Sequence, residues 1–465
     1  MSNSTPHPAS YRDPKGHIFM SDGNVFRTVT PTGAPDFDFV KSSGLLDELI
    51  DDGLLLAADP APKAVRDQFG DDVAHVLQHP RLPFVSYPYE WSFQQLKDAA
   101  LLHLDIQLRA LKKNVTLSDA TAYNIQFMGG KPVFIDHLSF EPYEDGQIWV
   151  AHKQFCDQFL NPLLLSAYRG VAFNHWYRGS MEGIDATQLS PLLPWKTRLN
   201  FNVLSHVHLL AKFQNSNTAH AGGKQDGLKK ARLSRLAFEG ILSGLRKWIA
   251  KLNPKDCGPT EWGSYTRDTS YKPEETLKKE AFVRRFHEKV KPAVLWDTGA
   301  NDGEFASIAL EAGAQYAVGF EQDHTALEKA YARSKAENLA LHPVFAELTN
   351  PSPSQGFAET ERDGMLGRAP ADAVQALAVL HHLAIGRNVP LARLIDWYIE
   401  LAPKGILEFV PKEDPMVERL LSLREDIFPN YTVEHFRELL AAKAKIVEEE
   451  TISTSGRTLF WFEVS

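Results

Sequence analysis

Cysteine is nearly absent from this chain, with only Cys156 and Cys257 among 465 residues. Two thiols cannot build a disulfide framework, nor a structural zinc site between them, so a small stapled secreted fold is excluded. Long apolar runs are missing too, and none approaches the roughly 20 residues that cross a bilayer. The stretch 1–16 is polar and proline-rich, without the apolar centre of a signal peptide, and the expected location is the cytoplasm. There is no large excess of positive charge. Against 59 acidic residues stand 50 Lys and Arg, a net charge of −9, which argues against a nucleic-acid partner without excluding one. No internal repeat is present. A composition of 43% hydrophobic and 23% charged residues is that of an ordinary globular protein. The length exceeds what one hydrophobic core organises, so more than one unit is expected.

The composition itself divides the chain. Residues 214–223 are small and polar, and 224–255 carry nine Lys or Arg against Asp226 and Glu239. This marks an amino-terminal unit 1–213, a linker 214–273 and a carboxyl-terminal unit 274–465. In the linker, Leu233, Leu236, Ile241, Leu242, Leu245, Trp248, Ile249 and Leu252 recur at helical spacing. Such a basic amphipathic helix packs on its own protein by default; a membrane surface or RNA is the alternative. Trp262, Tyr265 and Tyr271 precede the helical stretch 274–289 and could fold over a ligand as a lid.

The strongest local signal is Val294-Leu295-Trp296-Asp297-Thr298-Gly299-Ala300-Asn301-Asp302-Gly303, followed by Val318-Gly319-Phe320-Glu321. It reads as strand, glycine turn, helix over 304–312, and a second strand over 316–320 that delivers a carboxylate. Gly299 and Gly303 let the backbone approach a ligand, Asp297 and Asn301 shape the turn, and Glu321 is placed to accept two ribose hydroxyls. The pattern D-x-G-x-x-x-G, with Asn301 and Asp302 where a dinucleotide needs room for pyrophosphate, favours S-adenosylmethionine (SAM) over NAD. Further strands are expected at 343–346, 373–380 and 405–410, with a closing hairpin of 445–449 and 458–464. Glu347, after the third strand, is a candidate for the adenine contact.

His381 and His382, at the end of the fourth strand, and Glu408, on the fifth, are candidates for acid–base or orienting roles. From an extended backbone two adjacent histidines point apart, so one faces the ligand and the other packs. Adjacent histidines also lack metal-ligand spacing, and no metal is expected there.

The amino-terminal unit carries a second signal. Asp119 and Asn124, in the spacing D-x-x-x-x-N, are followed by Pro132-Val133-Phe134-Ile135-Asp136-His137. The pattern resembles the catalytic and metal-binding loops of protein kinases and aminoglycoside phosphotransferases. That resemblance implies that Asp119 positions an acceptor hydroxyl while Asn124 and Asp136 hold Mg²⁺. Much of the kinase pattern is replaced: Leu117-Ser118 stands for His-Arg, His137-Leu138 for Phe-Gly, and no glycine-rich nucleotide loop is present. Val40-Lys41 with Glu48 is a faint echo of the strand lysine and its glutamate. A degenerate kinase-like scaffold is expected, with Mg-ATP a cofactor only if this unit is active.

Ser86-Tyr87-Pro88-Tyr89-Glu90-Trp91, Tyr123-Asn124-Ile125-Gln126-Phe127, the Asp297–Gly303 turn, Leu380-His381-His382-Leu383-Ala384 and Glu408-Phe409-Val410-Pro411-Lys412 together resemble a family of large bacterial class I SAM-dependent methyltransferases, some labelled nodulation-related. The resemblance spans nearly the whole chain. It implies SAM binding by a Rossmann-like α/β carboxyl-terminal sheet, preceded by an α+β domain, and it names no acceptor. Glu347 stands where an Asp is expected. Three functions are consistent with these residues: a methyltransferase acting on a small molecule, glycan or protein, a bifunctional kinase and methyltransferase, and a SAM-binding scaffold without turnover. The oligomeric state is left open.

Overall fold

The computed structural model describes residues 6–219, 232–255, 272–422 and 424–464. Residues 224–231 of the basic segment, Cys257, Trp262, Tyr265 and Tyr271 lie outside the described residues, and with them the expected lid. Asp22 and Gly23 take φ of 49° and 78°, the left-handed pair that a two-residue hairpin needs. They join β1 (Ile18–Ser21) to β2 (Asn24–Val29). β3 (Asp59–Pro60) and β4 (His75–His79) complete an antiparallel sheet in the order β1-β2-β4-β3. Between β2 and β3 the chain forms the helices Ala34–Ser42 and Leu45–Asp51. Lys41 and Glu48 therefore lie on helices, not on a strand and its partner helix, and Lys41 is exposed. The cation that does project from the sheet toward Asp136 is Arg27 of β2, at 2.7 Å.

Helix Phe93–Lys112 starts at a capping box in which Ser92 and Gln95 bond reciprocally to each other's backbone amides. After it come two short antiparallel ladders, β5 (Val115–Leu117) with β8 (Phe140–Pro142) and β6 (Ile125–Met128) with β7 (Lys131–Phe134). This half is α+β. Farther on, a π-helical segment, Cys156–Leu160, lies between the helices His152–Phe155 and Asn161–Arg169. Pro162 lacks an amide donor just after that segment, which fits a local change of hydrogen-bond register. The stretch 189–213 is broken more often, since Pro191 and Pro194 interrupt it, and a second π segment spans Leu204–His208. Helix Arg235–Ile249 packs on the protein itself through Phe238, Leu242, Leu245 and Ile249, and Arg246 pairs with Asp105 of helix Phe93–Lys112.

The carboxyl-terminal half is one seven-stranded sheet: β9 (Val294–Thr298), β10 (Tyr316–Glu321), β11 (Leu341–Phe345), β12 (Ala373–Ala376), β13 (Lys404–Phe409), β14 (Lys445–Thr451) and β15 (Thr458–Glu463). Its order is β11-β10-β9-β12-β13-β15-β14, with β15 antiparallel to both neighbours and the other six strands running in one direction. Every residue of β10, β11 and β12 is buried, as parallel strands covered by helices on both faces must be. This is a Rossmann-like arrangement. The chain leaves β9 toward β10 on one side and later returns on the other as β12, so a switch point opens beyond the carboxyl ends of β9 and β12. β12 is shorter than the expected 373–380, because Ala378 takes a φ of 53° and residues 382–386 coil into a third π segment.

The two halves meet at the β11 edge, which is thereby protected. Gln95 donates to the Pro343 carbonyl at 3.0 Å, and Ser86 Oγ lies 3.1 Å from His342 Nε2. Arg368 pairs with both oxygens of Glu90 at 2.9 and 2.7 Å. The Gly129-Gly130 turn lies so close that an added Cβ would sit 2.4 Å from the Leu339 carbonyl oxygen and 2.9 Å from the Lys335 nitrogen. The aromatic segment 86–91 is thus a buried junction between the two halves.

Candidate functional site

At the switch point lies a cavity of about 450 Å³. The turn after β9 forms its floor. Gly299, Asn301 and Gly303 all have positive φ (75°, 50° and 80°), and the amides of Gly299 and Ala300 both donate to the Phe320 carbonyl, so the turn folds back on β10. A Cβ at Gly299 would stand 3.1 Å from Val379 on the opposite wall, and one at Gly303 would meet Leu341 Cδ2 at 2.7 Å. Gly303 is therefore a packing position behind the wall, while Gly299 and Asn301 line the cavity.

Glu321, ending β10, lines the same cavity. One of its oxygens accepts the Asn301 amide at 2.8 Å and the other the Asp323 amide at 2.7 Å. Each carboxylate oxygen keeps a second lone pair. Burial raises the Glu321 pKa, and the backbone donors pull it back. Asp323 caps helix His324–Ala336 by accepting from the Thr325 and Ala326 amides, which accounts for its position without a ligand.

Asp297 is 2% exposed, and its Oδ2 has no hydrogen-bond partner although the residue lines the cavity. Burial pushes its pKa up to about 7; Gln375 and Lys279 oppose the rise and Glu321 adds to it. Asp302 and Glu304 add two more carboxylates to the wall. The cavity is acid-rich, and a ligand that carries positive charge suits it better than a phosphate does.

Lys279, on helix Pro273–Val290, escaped the sequence reading. It lines the cavity and pairs at 2.8 Å with Glu408 behind the wall. Its neighbours in sequence, Lys278 and Glu280, make the segment look like a solvated helix face, so no local signal marks it. Glu408 is fully buried and does not line the cavity; besides Lys279 it lies 3.5 Å from Arg457, which Asp414 clamps at 2.7 Å. A catalytic position at the rim is thus corrected to a charge that holds Lys279. Lys412 turns outward to Asp426.

His382 lines the cavity, and His381 is fully buried behind it with neither ring nitrogen hydrogen-bonded, the two rings 4.0 Å apart. They lie on a helical turn, not on extended strand. His381 makes no contact with the cavity, so only His382 is placed to touch a ligand. Burial lowers the His382 pKa to about 4, so its ring is neutral at pH 7 and a weak base. Glu347 does not line the cavity either: Ala346, Leu348 and Thr349 do, while Glu347 lines an adjoining cleft with His175 and Arg178 and lies 3.8 Å from Arg387 of the cavity wall. The chain turns at 348–349, just past the end of β11, and this turn carries the Glu347 carboxylate toward Arg387 rather than into the cavity, so the direct adenine contact expected of Glu347 is not the placement observed.

In the amino-terminal half, Asp119, Asn124 and Asp136 come together. Asn124 Nδ2 lies 3.3 Å from Asp119 and 3.0 Å from Ser139, whose hydroxyl donates to Asp136 at 2.7 Å. Burial raises the Asp119 pKa to about 7, with the Asp136 charge adding to it. The other oxygen of Asp136 is held by Arg27.

Nodulation protein NoeA of Rhizobium meliloti (strain 1021) is 42% identical to this chain over 456 residues, which is 98% of this chain and 95% of the relative. Among solved structures, WbdD aligns over 47% of this chain and 46% of its own at 15% identity and a TM-score of 0.31. The N-methyltransferase NodS from Bradyrhizobium japonicum WM9 aligns over 41% of this chain and 97% of its own at 13% identity and a TM-score of 0.30. No family model matches the chain.

Proposed function

The chain belongs to the family of nodulation protein NoeA, and from that premise we propose that it is a class I SAM-dependent methyltransferase whose acceptor is a small molecule, glycan or protein. The observation that carries this reading is Glu321, held by two backbone amides and facing one cavity with the unpartnered Asp297 oxygen. Bound SAM supplies an electrophilic methyl group on a sulfonium. Glu321 accepts the ribose hydroxyls. Asp297 receives the ammonium of the methionine portion, and the bare backbone of Gly299 leaves room beside it. Asp302 and Glu304 favour the cation and oppose a pyrophosphate, which separates this site from a dinucleotide site. His382 accepts a hydrogen bond from the acceptor's nucleophile and orients it; a ring with a pKa near 4 does not remove a proton outright. Lys279 is held in the wall by Glu408 as a positioning residue.

The bifunctional alternative has the convergence of Asp119, Asn124 and Asp136 in its favour. Against it, Arg27 already neutralises Asp136. Calorimetric titration with S-adenosylhomocysteine tests the main proposal, with micromolar binding expected and NAD inert. Labelled SAM offered with small-molecule, glycan and protein fractions should then transfer label. Absence of homocysteine-cofactor binding overturns the reading; binding without transfer to any fraction favours the scaffold.

Asp297 gives a proton-linked prediction. Its folded pKa of about 7 lies above the ordinary aspartate value of 3.8, so the unfolded chain loses this proton first. Stability from this group is therefore lost as pH rises from about 4 to about 7 and is level above that. A bound ammonium pulls the pKa back down. Binding of S-adenosylhomocysteine at about pH 6.5 is expected to release part of a proton, read as a dependence of the calorimetric enthalpy on buffer ionisation enthalpy. Asp297→Asn should remove that dependence, and its persistence in the variant would count against the assignment.

A further inference from the structure

Away from the cavity, His152, Cys156 and His206 converge in the amino-terminal half, with one ligand atom from each lying within 4.8 Å of the others. His152 Nε2 is 2.9 Å from His206 Nδ1 and 3.5 Å from Cys156 Sγ. Zinc bonds of about 2.0–2.1 Å to nitrogen and about 2.3 Å to sulfur, at tetrahedral angles, place two nitrogens about 3.3 Å apart and a nitrogen and sulfur about 3.6 Å apart. The nitrogen–sulfur separation of 3.5 Å matches, the nitrogen–nitrogen one of 2.9 Å is shortened by the hydrogen bond that a metal would replace, and a shift of the His206 ring toward the sulfur closes the third edge.

We propose that His152, Cys156 and His206 form a three-residue binding site for a zinc-class divalent transition-metal ion, with the fourth position taken by water. A Cys-His-His set of mixed soft and borderline donors selects zinc or cobalt over magnesium or calcium, which prefer oxygen. The backbone supports the site on both sides. Cys156 opens one π segment, Cys156–Leu160, and His206 lies at the centre of the other, Leu204–His208. Such segments occur often at functional sites, and a third among the described residues carries His382 at the cavity. Aromatic rings fix the imidazoles: Trp149 lies 5.2 Å from His152, and Trp248 stacks on His206 at an interplanar angle of 25°. Cys156 is fully buried and His152 and His206 are partly so, which gives an ion a route in from the imidazole side.

On binding, the Cys156 thiol gives its proton to solvent and the thiolate, with two neutral imidazoles, bonds the ion; no redox step is involved. The ion ties together segments that share an apolar core and the hydrogen bond between the two imidazoles. Through Trp248 it also reaches helix Arg235–Ile249, so the site acts as a staple of the helical subregion rather than as part of the methyl-transfer chemistry.

The test uses the full chain, stripped with a chelator and titrated with Co²⁺. The expected result is a thiolate-to-cobalt charge-transfer band that saturates at about one equivalent and is displaced by Zn²⁺. The band should vanish in Cys156→Ser, weaken at least tenfold in apparent affinity in His206→Gln, and survive in Cys257→Ser. Because Cys156→Ser alters a buried position, His206→Gln and the melting temperature of the wild type with and without Zn²⁺ provide independent readouts; Zn²⁺ is expected to raise the wild-type value by several degrees. No charge-transfer band in the wild type, or a band that persists in Cys156→Ser, overturns the proposal and leaves the two histidines as a hydrogen-bonded pair.

Discussion

Glu321→Ala is expected to weaken S-adenosylhomocysteine binding by about 30- to 700-fold, the equivalent of roughly 2–4 kcal/mol. Two ribose hydroxyls would lose a charged acceptor, and hydrogen bonds to charged groups contribute about 1.5–3 kcal/mol each, less what water restores. A second loss compounds the first. The carboxylate also holds the Asn301 amide at 2.8 Å and the Asp323 amide at 2.7 Å, so its removal frees the turn that shapes the floor of the cavity. The fold itself should tolerate the change, because deleting a buried carboxyl also removes its desolvation cost. Glu321→Gln is expected to fall between the two, since an amide oxygen can replace one backbone acceptor but its NH₂ opposes the other donor. Calorimetry on both variants, with melting curves as a folding control, decides the matter. An affinity of Glu321→Ala within about threefold of the wild type would remove Glu321 from the cofactor site.

The largest stability effect is expected at Glu408. Its side chain is fully buried between Lys279 and Arg457, which are themselves 4% and 1% exposed. Glu408→Ala leaves Lys279 without its counter-ion, while Arg457 retains Asp414. Breaking a buried pair in this way costs about 3–5 kcal/mol, because the Lys279 ammonium, only 4% exposed, loses the carboxylate that offsets its desolvation. At roughly 2–4 °C per kcal/mol for a domain of this size, the melting temperature should fall by about 6–20 °C. Lys279→Met combined with Glu408→Ala should recover most of that loss, since the double change removes both charges and restores an apolar contact. This pattern separates a positioning pair from a catalytic acid. If Glu408 acted directly on substrate, the single variant would lose turnover at unchanged stability, and the double variant would not recover.

Local signals carried far in this chain. The glycine turn was legible because Gly299 and Gly303 are required by positive φ and close approach, and such demands show in the residues themselves. Helix Glu304–Glu311, β10 and the closing pair β14 and β15 follow from periodicity, which depends on neighbours a few positions away. The end of β12 did not, because the positive φ of Ala378 answers to packing at the switch point and not to its own residue type.

What the sequence determined alone is therefore the Rossmann-like sheet and the placement of Asp297, Asn301 and Glu321 at its switch point, since strand period, turn chemistry and strand-end position are local properties. Tertiary structure alone decided which way individual polar side chains face. It turned Glu347 out of the cavity and Glu408 behind its wall, brought Lys279 in from a helix that reads as surface, set Arg27 on Asp136, and joined His206 to His152 and Cys156. The physical reason is the same in each case. A charge or ligand atom takes its meaning from partners distant in the chain, and only the folded core, by excluding water, makes those partnerships strong enough to dictate where a side chain points.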